Sequence, residues 1–486
     1  MKKAKRVLAM VMALVTIGGM AACGTPKKTG NPNLITVEAS LAGYRRQWLD
    51  GIAEKYTQQT GVEVDINWDP NLSTNISNVV EYNPRVSDLY YVNLSGGGKE
   101  FEWYLTGKLE SLNDVFAADN GTGITIEESI EDGFKDAGLY DGVRYAAYTV
   151  QGYDCLVYNP DILERAGWDK PFPATVDGLV EMFEVINNAQ LLAEDGKTII
   201  KPFVYTGIYD SISHLFDAFE VQYGGAAEYA AFYNHSDKSG PVKANYYKDA
   251  TKVAFQNLMK IMAVDNSGKP KYVLEGSAAR THTDAQAAFL NGYAAVCTTG
   301  TWFETEMEQV IEKGKDKYEI APFPLATDES GSFGAAANYL IDPTKEATPE
   351  NMKKYNVKTI ADAPFFILKK AENKKGAKDF LAFVLQEENI RYMHEQTGNA
   401  LRYKYDRTKL NLADGSWAKK VEENNTITIS GVKGAATPLY LAGLLGGWRP
   451  GIWTRMASEK NFNIQGELDW RYNDVASKWD ERLEML

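Results

Sequence analysis

Two stretches of the sequence carry residue types that serve phosphate binding or zinc catalysis, but each lacks a required partner. Lys99 follows three glycines, yet Asn93 stands where the first glycine of a phosphate-binding loop belongs and Glu100 where its Ser or Thr belongs. His394 begins a stretch that starts like a zinc-protease helix, but Gly398 occupies the place of the second histidine. We therefore expect no nucleotide, metal or other cofactor.

The residue patterns of common hydrolases are incomplete as well. Ser416 and Lys419 have the spacing of a Ser-x-x-Lys pair, but no Ser-Asp-Asn segment accompanies them. The sequence also contains no Gly-x-Ser-x-Gly segment around a nucleophilic serine. Among the 65 acidic residues, a pair of carboxylates that cleaves a glycosidic bond stays open as an alternative. We expect the protein not to be an enzyme.

Composition and charge exclude further classes of protein. The 486 residues include 52 basic and 65 acidic side chains, which gives a formal net charge of −13. Because an acidic surface repels phosphate backbones, we expect no binding to nucleic acid. A hydrophobic fraction of 44% is that of a globular chain, and its length suggests two large domains or about three smaller ones.

The N-terminal residues predict export and attachment to a membrane. Four basic residues precede an apolar run over 7–17, and small residues then lead to Met20 and Cys23. This is the layout of a secretory signal peptide over 1–22, and it resembles a bacterial lipoprotein signal although Met20 replaces the usual Leu. The resemblance implies a lipidated Cys23, a tether over 23–33 and anchoring at the extracytoplasmic face of the cell membrane. A secreted protein with an incidental Cys23 is the alternative.

Hydrophobic periodicity predicts strands that alternate with helices along the chain. Strands are predicted at 34–39, 62–68, 150–158 and 293–298. Helices are predicted from Trp48 up to Gly61, from Thr175, from a capping box of Thr283 and Gln286 up to Gly292, over 377–385 and over 470–486. The strand–helix–strand opening implies a parallel pair in an α/β sheet. Residues 331–362 lack a clear period and are predicted to form a surface insertion.

Six segments in chain order share the pattern of one protein family. They are Trp48–Val64 with Thr60-Gly61-Val62, Asp88-Leu89-Tyr90 with Gly107-Lys108-Leu109, Asp141–Tyr145, Tyr158-Asn159-Pro160-Asp161-Ile162-Leu163 with Ala166-Gly167, Phe289-Leu290-Asn291-Gly292 with Gly300-Thr301-Trp302, and Ala377–Leu385 with Thr397-Gly398. In this order they resemble bacterial extracellular solute-binding lipoproteins of the maltose-binding-protein type, which feed ABC importers for sugars.

The resemblance implies an α/β fold of the two-lobed periplasmic-binding-protein type (type II), with a ligand cleft between the lobes. Lobe one is expected to contain 34–148 and 325–400, and lobe two 149–324 and 401–486. The implied function is capture of a sugar or oligosaccharide and its delivery to ABC permease subunits and a separate ATPase, with the binding protein acting as a monomer. A lipid-anchored surface glycosidase, or the same fold binding a non-sugar solute, are the alternatives.

A sugar site needs flat aromatic rings and hydrogen-bonding side chains, and ten Trp and 28 Tyr supply the rings. The family motif places Trp302 at a strand end facing the cleft, with burial in the core as the alternative. Asp154 interrupts an apolar strand and needs a partner, which is either the ligand or a neighbouring Arg. The further candidates are Trp68, Tyr44, Asn93, Tyr209, Asp210, Trp448 and Trp453.

Each of these further candidates also has a purely structural interpretation. Trp68 continues the alternation of a strand, so core packing is as good an explanation as ligand stacking. Tyr44, Asn93, Tyr209 and Asp210 follow predicted strands and would be exposed loop residues. The pair Trp448 and Trp453 would either cap the cleft or pack a helix against a lobe.

Two other pairs of residues are assigned to the core. Tyr90 and Tyr91 are adjacent in a strand, so one of the two is expected to point into the core. Cys155 and Cys297 lie in two predicted strands and are expected to be small buried hydrophobic residues.

Overall fold

The computed structural model describes residues 31–40, 46–94, 99–150, 152–207, 211–312, 315, 317–335, 363–424 and 444–484. The strands are β1 (Leu34–Ser40), β2 (Glu63–Asp69), β3 (Leu89–Tyr91), β4 (Leu139–Tyr140), β5 (Val143–Arg144), β6 (Ala147–Tyr148), β7 (Asp154–Tyr158), β8 (Lys201–Val204), β9 (Ala294–Gly300), β10 (Glu319–Ala321) and β11 (Pro364–Phe366). Strands and helices alternate over most of the described chain, as the periodicity predicts.

Helices surround these strands. They are α1 (Gln47–Thr60), α2 (Leu72–Tyr82), α3 (Lys99–Leu105), α4 (Asn113–Phe116), α5 (Ile126–Ser129), α6 (Pro160–Ala166), α7 (Val176–Ala189), α8 (Ser211–Tyr233), α9 (Asp249–Ile261), α10 (His282–Leu290), α11 (Phe303–Glu306), α12 (Lys374–Val384), α13 (Glu387–Thr397), α14 (Trp417–Asn424), α15 (Ile452–Met456), α16 (Ile464–Ser477) and α17 (Trp479–Leu483). Over the described ranges, none of the helices has the length and apolar character needed to cross a membrane.

The first sheet contains five described strands in the order β2-β1-β3-β11-β6. β1 runs parallel to both β2 and β3, which confirms the predicted parallel pair. β11 runs antiparallel to β3 and to β6, so β6 points in the same direction as β3. The carboxyl ends of β1, β2, β3 and β6 therefore lie at one edge of this sheet, which is where open α/β sheets place their ligands.

The second sheet contains four described strands in the order β10-β7-β9-β8. β8 and β9 are parallel, and β7 runs antiparallel to β9 with Asp154 opposite Gly300. As a result, the amino end of β7 lies beside the carboxyl ends of β8 and β9. This edge of the second sheet therefore contains both Asp154 and the residues that follow Gly300.

Each sheet has its own hydrophobic core. The core of the first sheet includes Trp48, Phe365 and Leu381. The larger core of the second sheet includes Phe203 and Phe216. A third, smaller cluster lies on the second sheet and contains Cys155, Cys297, Phe303 and Trp417.

Both described cysteines are small buried core residues, as the sequence predicts. Cys155 and Cys297 are free thiols on the neighbouring strands β7 and β9. Burial raises the pKa of both thiols well above its usual range. The apolar setting therefore keeps them protonated and unreactive.

The chain crosses between the two sheets after β6. Here Val150 forms an isolated antiparallel pairing with Leu401, and the Nε of Arg402 donates to the carbonyl of Val150 over 2.9 Å. The guanidinium of Arg402 lies between the rings of Phe134 and Tyr148, at 4.9 and 4.7 Å from their centres. The strand predicted at 150–158 is therefore too long, because Val150 pairs with this returning segment and β7 begins only at Asp154.

Two predicted helix ends are confirmed, one predicted cap is wrong, and one predicted helix is two helices. Gly61 ends α1 with a left-handed φ of 75°, and Thr175 caps α7. The cap of α10 is formed by Thr281 and Asp284 and not by the predicted pair two residues further on, because the Asp284 carboxylate accepts from the backbone N–H of Thr281. The predicted C-terminal helix is broken at Lys478 into α16 and α17.

The tyrosine pair in β3 is also different from the prediction. Both Tyr90 and Tyr91 are buried, since β3 is a central strand covered on both faces. Tyr90 stacks on Phe366, and Tyr91 packs against Phe365 and Trp48. Side chains that alternate along a strand have one buried and one exposed set only when one face of the sheet is exposed to solvent. Both faces of this sheet are covered at β3, so both tyrosines are buried.

Candidate ligand-binding site

Trp302 lies directly after β9 and is half-buried. Its indole ring rests against the backbone of Gly300, where any added methyl group would collide with the ring. The carbonyl of the intervening Thr301 accepts a hydrogen bond from the indole N–H of Trp417 over 2.7 Å. The position at a strand end is therefore as predicted, and the glycine holds a partly exposed aromatic ring over the edge of the second sheet. Contact of this ring with a ligand stays a prediction.

Asp154 lies on the same edge, opposite Gly300, and is only 2% exposed. Its Oδ1 is 2.7 Å from the Nδ1 of His214, which belongs to the first turns of α8. A buried carboxylate requires a partner, and the partner of Asp154 is His214. This partner is not the arginine expected as one alternative, and the pairing does not require a ligand. This contact fixes the orientation of a partly exposed imidazole beside the strand ends.

A half-buried carboxyl group, that of Glu306, lies at the end of α11, one helical turn after Trp302. Gln286 of α10 donates from Nε2 both to the Oε2 of Glu306 over 2.7 Å and to the hydroxyl of Thr299 over 2.9 Å. Burial raises the pKa of Glu306 to about 7 and lowers the pKa of the neighbouring His282. These residues tie the segment that carries Trp302 to α10. From the sequence, Gln286 is expected only to cap a helix, and the residues of this network give no sequence signal that links them.

At the first sheet, Asn93 and Trp68 differ in what they can offer a ligand. Asn93 is half-buried after β3, and its backbone N–H donates to the hydroxyl of Ser40 at the end of β1 over 2.8 Å. Its position after a strand is as predicted, and this position lies at the carboxyl edge of the sheet. Contact of its side chain with a ligand stays a prediction. Trp68 is half-buried against the core, and its indole N–H donates to Asp50 of α1 over 2.9 Å. That contact favours packing for Trp68.

Glu100 is a candidate that the sequence did not identify. It lies in the first turn of α3, is 4% exposed, and accepts hydrogen bonds from the hydroxyls of Tyr140 and Tyr148. Its second oxygen, Oε2, is buried without a donor among the described residues. Since Tyr148 ends β6, this unsatisfied acceptor lies near the carboxyl edge of the first sheet. A hydroxyl group of a ligand would be a suitable donor.

Trp448 and Trp453 pack on the core of the second sheet. Both rings contact Phe216 of α8 and Phe255 of α9, at centroid distances between 5.0 and 6.3 Å. Trp453 is buried, which supports the packing interpretation for this residue.

Trp448 is half-buried and lines a cavity of about 440 Å³, which we call the Trp448 pocket. Its polar lining comes from α8, from Lys248 just before α9, from α16 and from the segment around Trp448, and it includes Ser213, Asp217, Glu220, Lys248, Arg449 and Arg471. Its volume falls in the range of small-molecule sites. Gly207, which follows β8, also lines the pocket and approaches the backbone of Ala278 too closely to admit a larger residue. The pocket therefore begins near the edge that contains Asp154 and His214.

The structure thus brings Asp154 and Trp302 together at the second sheet and places Asn93 at the carboxyl edge of the first. The candidates Tyr44, Tyr209 and Asp210, and the lipidation candidate Cys23, lie outside the described residues. So does most of the predicted insertion at 331–362, of which only 331–335 is described.

The described candidates offer the chemistry of non-covalent recognition. The half-buried Trp302 lies at a strand end near the carboxylate of Asp154 and the imidazole of His214, and the half-buried Trp448 lines a pocket together with two guanidinium groups. In the described part of the chain, no group of three or more His, Cys, Asp or Glu side chains is arranged to hold a metal ion. Rings and hydrogen-bonding groups in a concave site are suited to binding a polar small molecule with apolar faces.

Comparison with known structures gives the same fold over nearly the whole chain. RafE from Streptococcus pneumoniae is 15% identical with a TM-score of 0.56, over 94% of this chain and 100% of that one. The Thermus thermophilus maltotriose-binding protein, with maltotriose bound, is 14% identical with a TM-score of 0.57, over 91% and 99%. A structure from a study of xylan utilisation by Caldanaerobius polysaccharolyticus is 14% identical with a TM-score of 0.62, over 91% and 100%.

Sequence comparison identifies the family. Residues 51–400 match the model of a family described as bacterial extracellular solute-binding protein. Curated protein sequences give no significant match. The family match extends over well more than half of the chain, and its fold is the two-lobed α/β fold that the sequence motifs imply. This protein therefore belongs to the bacterial extracellular solute-binding proteins.

Proposed function

We propose that this protein captures a sugar or oligosaccharide outside the cytoplasm and delivers it to the permease subunits of an ABC importer, which a separate ATPase powers. The observation that carries the proposal is the ring of Trp302, which Gly300 holds at a sheet edge beside the buried Asp154. An indole face covers the C–H face of a sugar ring, and neighbouring polar groups bind its hydroxyls. The maltotriose and raffinose bound by two structural relatives support a saccharide ligand.

The ligand is proposed to lie between two lobes, with 34–148 and 325–400 in the first and 149–324 and 401–486 in the second. The separate hydrophobic cores of the two sheets support this division. The pairing of Val150 with Leu401 supports a crossing of the chain at that point. The candidates Asn93 and Glu100 would then contribute from lobe one, and Trp302 from lobe two.

The proposal is tested by thermal unfolding and calorimetric titration against a panel of mono- and oligosaccharides. A ligand that binds only the native state raises the melting temperature, by an amount that grows with the ligand concentration relative to Kd. Binding of at least one saccharide, without hydrolysis of that saccharide over the time of the experiment, is expected. Hydrolysis would support the glycosidase alternative, and binding of only non-sugar solutes would overturn the choice of ligand.

Ligand binding is expected to close the two lobes. A ligand shifts this equilibrium only if it contacts both lobes in the closed form, and hinge closure of this kind is typical of periplasmic binding proteins. Small-angle scattering should therefore give a smaller radius of gyration with a saturating saccharide than without it. An unchanged radius, with binding verified in the same sample, would show that the ligand occupies one lobe or a cleft that is already closed.

Cys23→Ser is expected to release the protein from the membrane. The lipid on this cysteine is proposed to supply the hydrophobic attachment, while the basic residues of the tether add only weak attraction to anionic lipids. Membrane fractionation and labelling with a radioactive fatty acid measure this. The control is a double variant, Lys27→Ser with Lys28→Ser, which should stay in the membrane fraction. A wild-type protein that incorporates no labelled fatty acid would contradict the prediction.

A further inference from the structure

The Trp448 pocket carries an unusual charge for this chain. It is lined by three basic side chains, Lys248, Arg449 and Arg471, and by two acidic ones, Asp217 and Glu220. Its lining is therefore formally positive by one charge, in a chain whose net charge is −13. An anionic group would bring this pocket close to neutrality.

Most of the pocket's charged groups are engaged by the protein itself. The Nζ of Lys248 donates to the carbonyl of Glu228 over 2.8 Å. The carboxylate of Glu220 accepts a hydrogen bond from the hydroxyl of Thr251. The side chain of Arg449 lies close to Glu467, with 3.8 Å between the Nη1 of Arg449 and the Oε1 of Glu467.

Arg471 is different. Its guanidinium packs against aromatic rings, 4.4 Å from the centre of Phe232 and 4.2 Å from the centre of Trp448, with Tyr246 further away at 5.6 Å. Its Nε is buried and has no hydrogen-bond acceptor in the part of the chain that the structure describes. The two nearer rings hold the planar fork in place but accept no conventional hydrogen bond. This Nε is closed off from solvent, so an acceptor that enters the pocket meets the terminal N–H groups of the guanidinium, which belongs to the pocket lining.

The geometry points to a ligand group that matches this fork. A carboxylate presents two oxygens at the spacing of a guanidinium edge and pairs with it in bidentate fashion, whereas a single hydroxyl does not. Gly207 and Ser213 place one end of the pocket near the sheet edge that contains Trp302 and Asp154. One ligand can therefore extend from that edge into the pocket.

We infer that the Trp448 pocket binds the carboxylate of an acidic saccharide, with Arg471 as its partner. The inference rests on the proposed sugar-binding function and narrows its substrate class. The wild-type protein should bind at least one acidic oligosaccharide more tightly than the corresponding neutral one. With a bidentate, charge-assisted pair at stake, we expect a preference of roughly ten- to a hundredfold in Kd.

The test is calorimetric titration with paired saccharides that differ only in the acidic group. The acidic members are oligogalacturonides, glucuronate-substituted xylo-oligosaccharides and sialyllactose, and each is paired with its own carboxyl-reduced, neutral form. Arg471→Met keeps an apolar side chain against the rings but removes the fork, and Arg471→Lys keeps the charge without the fork. Lys460→Met, at an exposed position in the same C-terminal region, removes the same charge outside the pocket.

Arg471→Met should abolish the preference for the acidic member of the pair, Arg471→Lys should reduce it, and Lys460→Met should leave it unchanged. Melting temperatures of the free variants report any loss of folding, while the acidic-to-neutral ratio is independent of the folded fraction. Binding of neutral saccharides without tighter binding of an acidic one would overturn this inference and leave the proposed function in place. Failure of every saccharide to bind would overturn both.

Discussion

Replacing Trp302 by alanine is expected to lower the affinity for the bound saccharide roughly ten- to a hundredfold, since the lost ring contact contributes about 1–3 kcal/mol. The ring is half-buried and lies on Gly300, so its removal takes away an apolar platform and leaves the Asp154–His214 pair in place. Calorimetric titration of the wild type and the variant with the same saccharide measures the effect.

The melting temperature of the same variant is the control. Only part of the Trp302 ring is buried, so stability should fall much less than for a core tryptophan. Gly300→Ala tests the position of the ring independently, because its methyl group would push the indole off the strand end and should weaken binding with Trp302 still present. Unchanged affinity together with a large fall in melting temperature would assign Trp302 to the core.

The opposite result is expected for Trp48→Ala. Trp48 is fully buried and packs edge-on against Tyr91 and Phe365, at centroid distances of 5.4 and 6.2 Å. Truncating a buried aromatic side chain leaves a cavity and typically costs about 3–5 kcal/mol of the free energy of unfolding. Its indole N–H has no hydrogen-bond partner among the described residues, so the expected loss is one of packing.

Urea unfolding followed by circular dichroism measures this second effect. The transition midpoint of Trp48→Ala should move to a clearly lower urea concentration. The Kd of the protein that remains folded should stay within about twofold of the wild type, because Trp48 packs in the core of the first sheet. A twofold change in Kd corresponds to only about 0.4 kcal/mol. A loss of less than about 1 kcal/mol in the free energy of unfolding would contradict the assignment of Trp48 to the core, because surface substitutions typically have effects of that size. The two tryptophan variants together separate a binding ring from a structural one.

The contrast between these tryptophans is not visible in their residue type or in hydrophobicity. Trp48 lies on the apolar stripe of α1, and its burial follows from helical spacing. Trp302 lies just beyond a fully buried strand, where periodicity ends, and its exposure depends on how its ring folds back over Gly300. The family motif predicts that Trp302 lies at a strand end and faces the cleft. The structure supports the strand-end position.

Asp154 illustrates the same limit for a charged residue. A carboxylate within an apolar strand indicates that a partner must exist, because an unpaired buried charge is too costly. The sequence could not identify His214, which lies 60 residues away and reaches Asp154 only because β7 and the start of α8 meet at one sheet edge. Glu100 and Arg471 were not recognised for this reason, since their burial depends on rings from distant segments.

From the amino-acid sequence alone one can predict the alternation of strands and helices, the parallel opening of the first sheet, the end of α1 at Gly61, the cap at Thr175 and the family. These features depend on periodicity, on glycine and on side chains that bond within a few residues, so they are local properties of the chain. Three-dimensional packing is needed to show that Asp154 pairs with His214, that both tyrosines of β3 are buried, and that Arg471 packs against Phe232 and Trp448. Each of these joins residues brought together by sheet order and helix packing, because the free energy of burying a charge or a ring depends on which distant groups surround it.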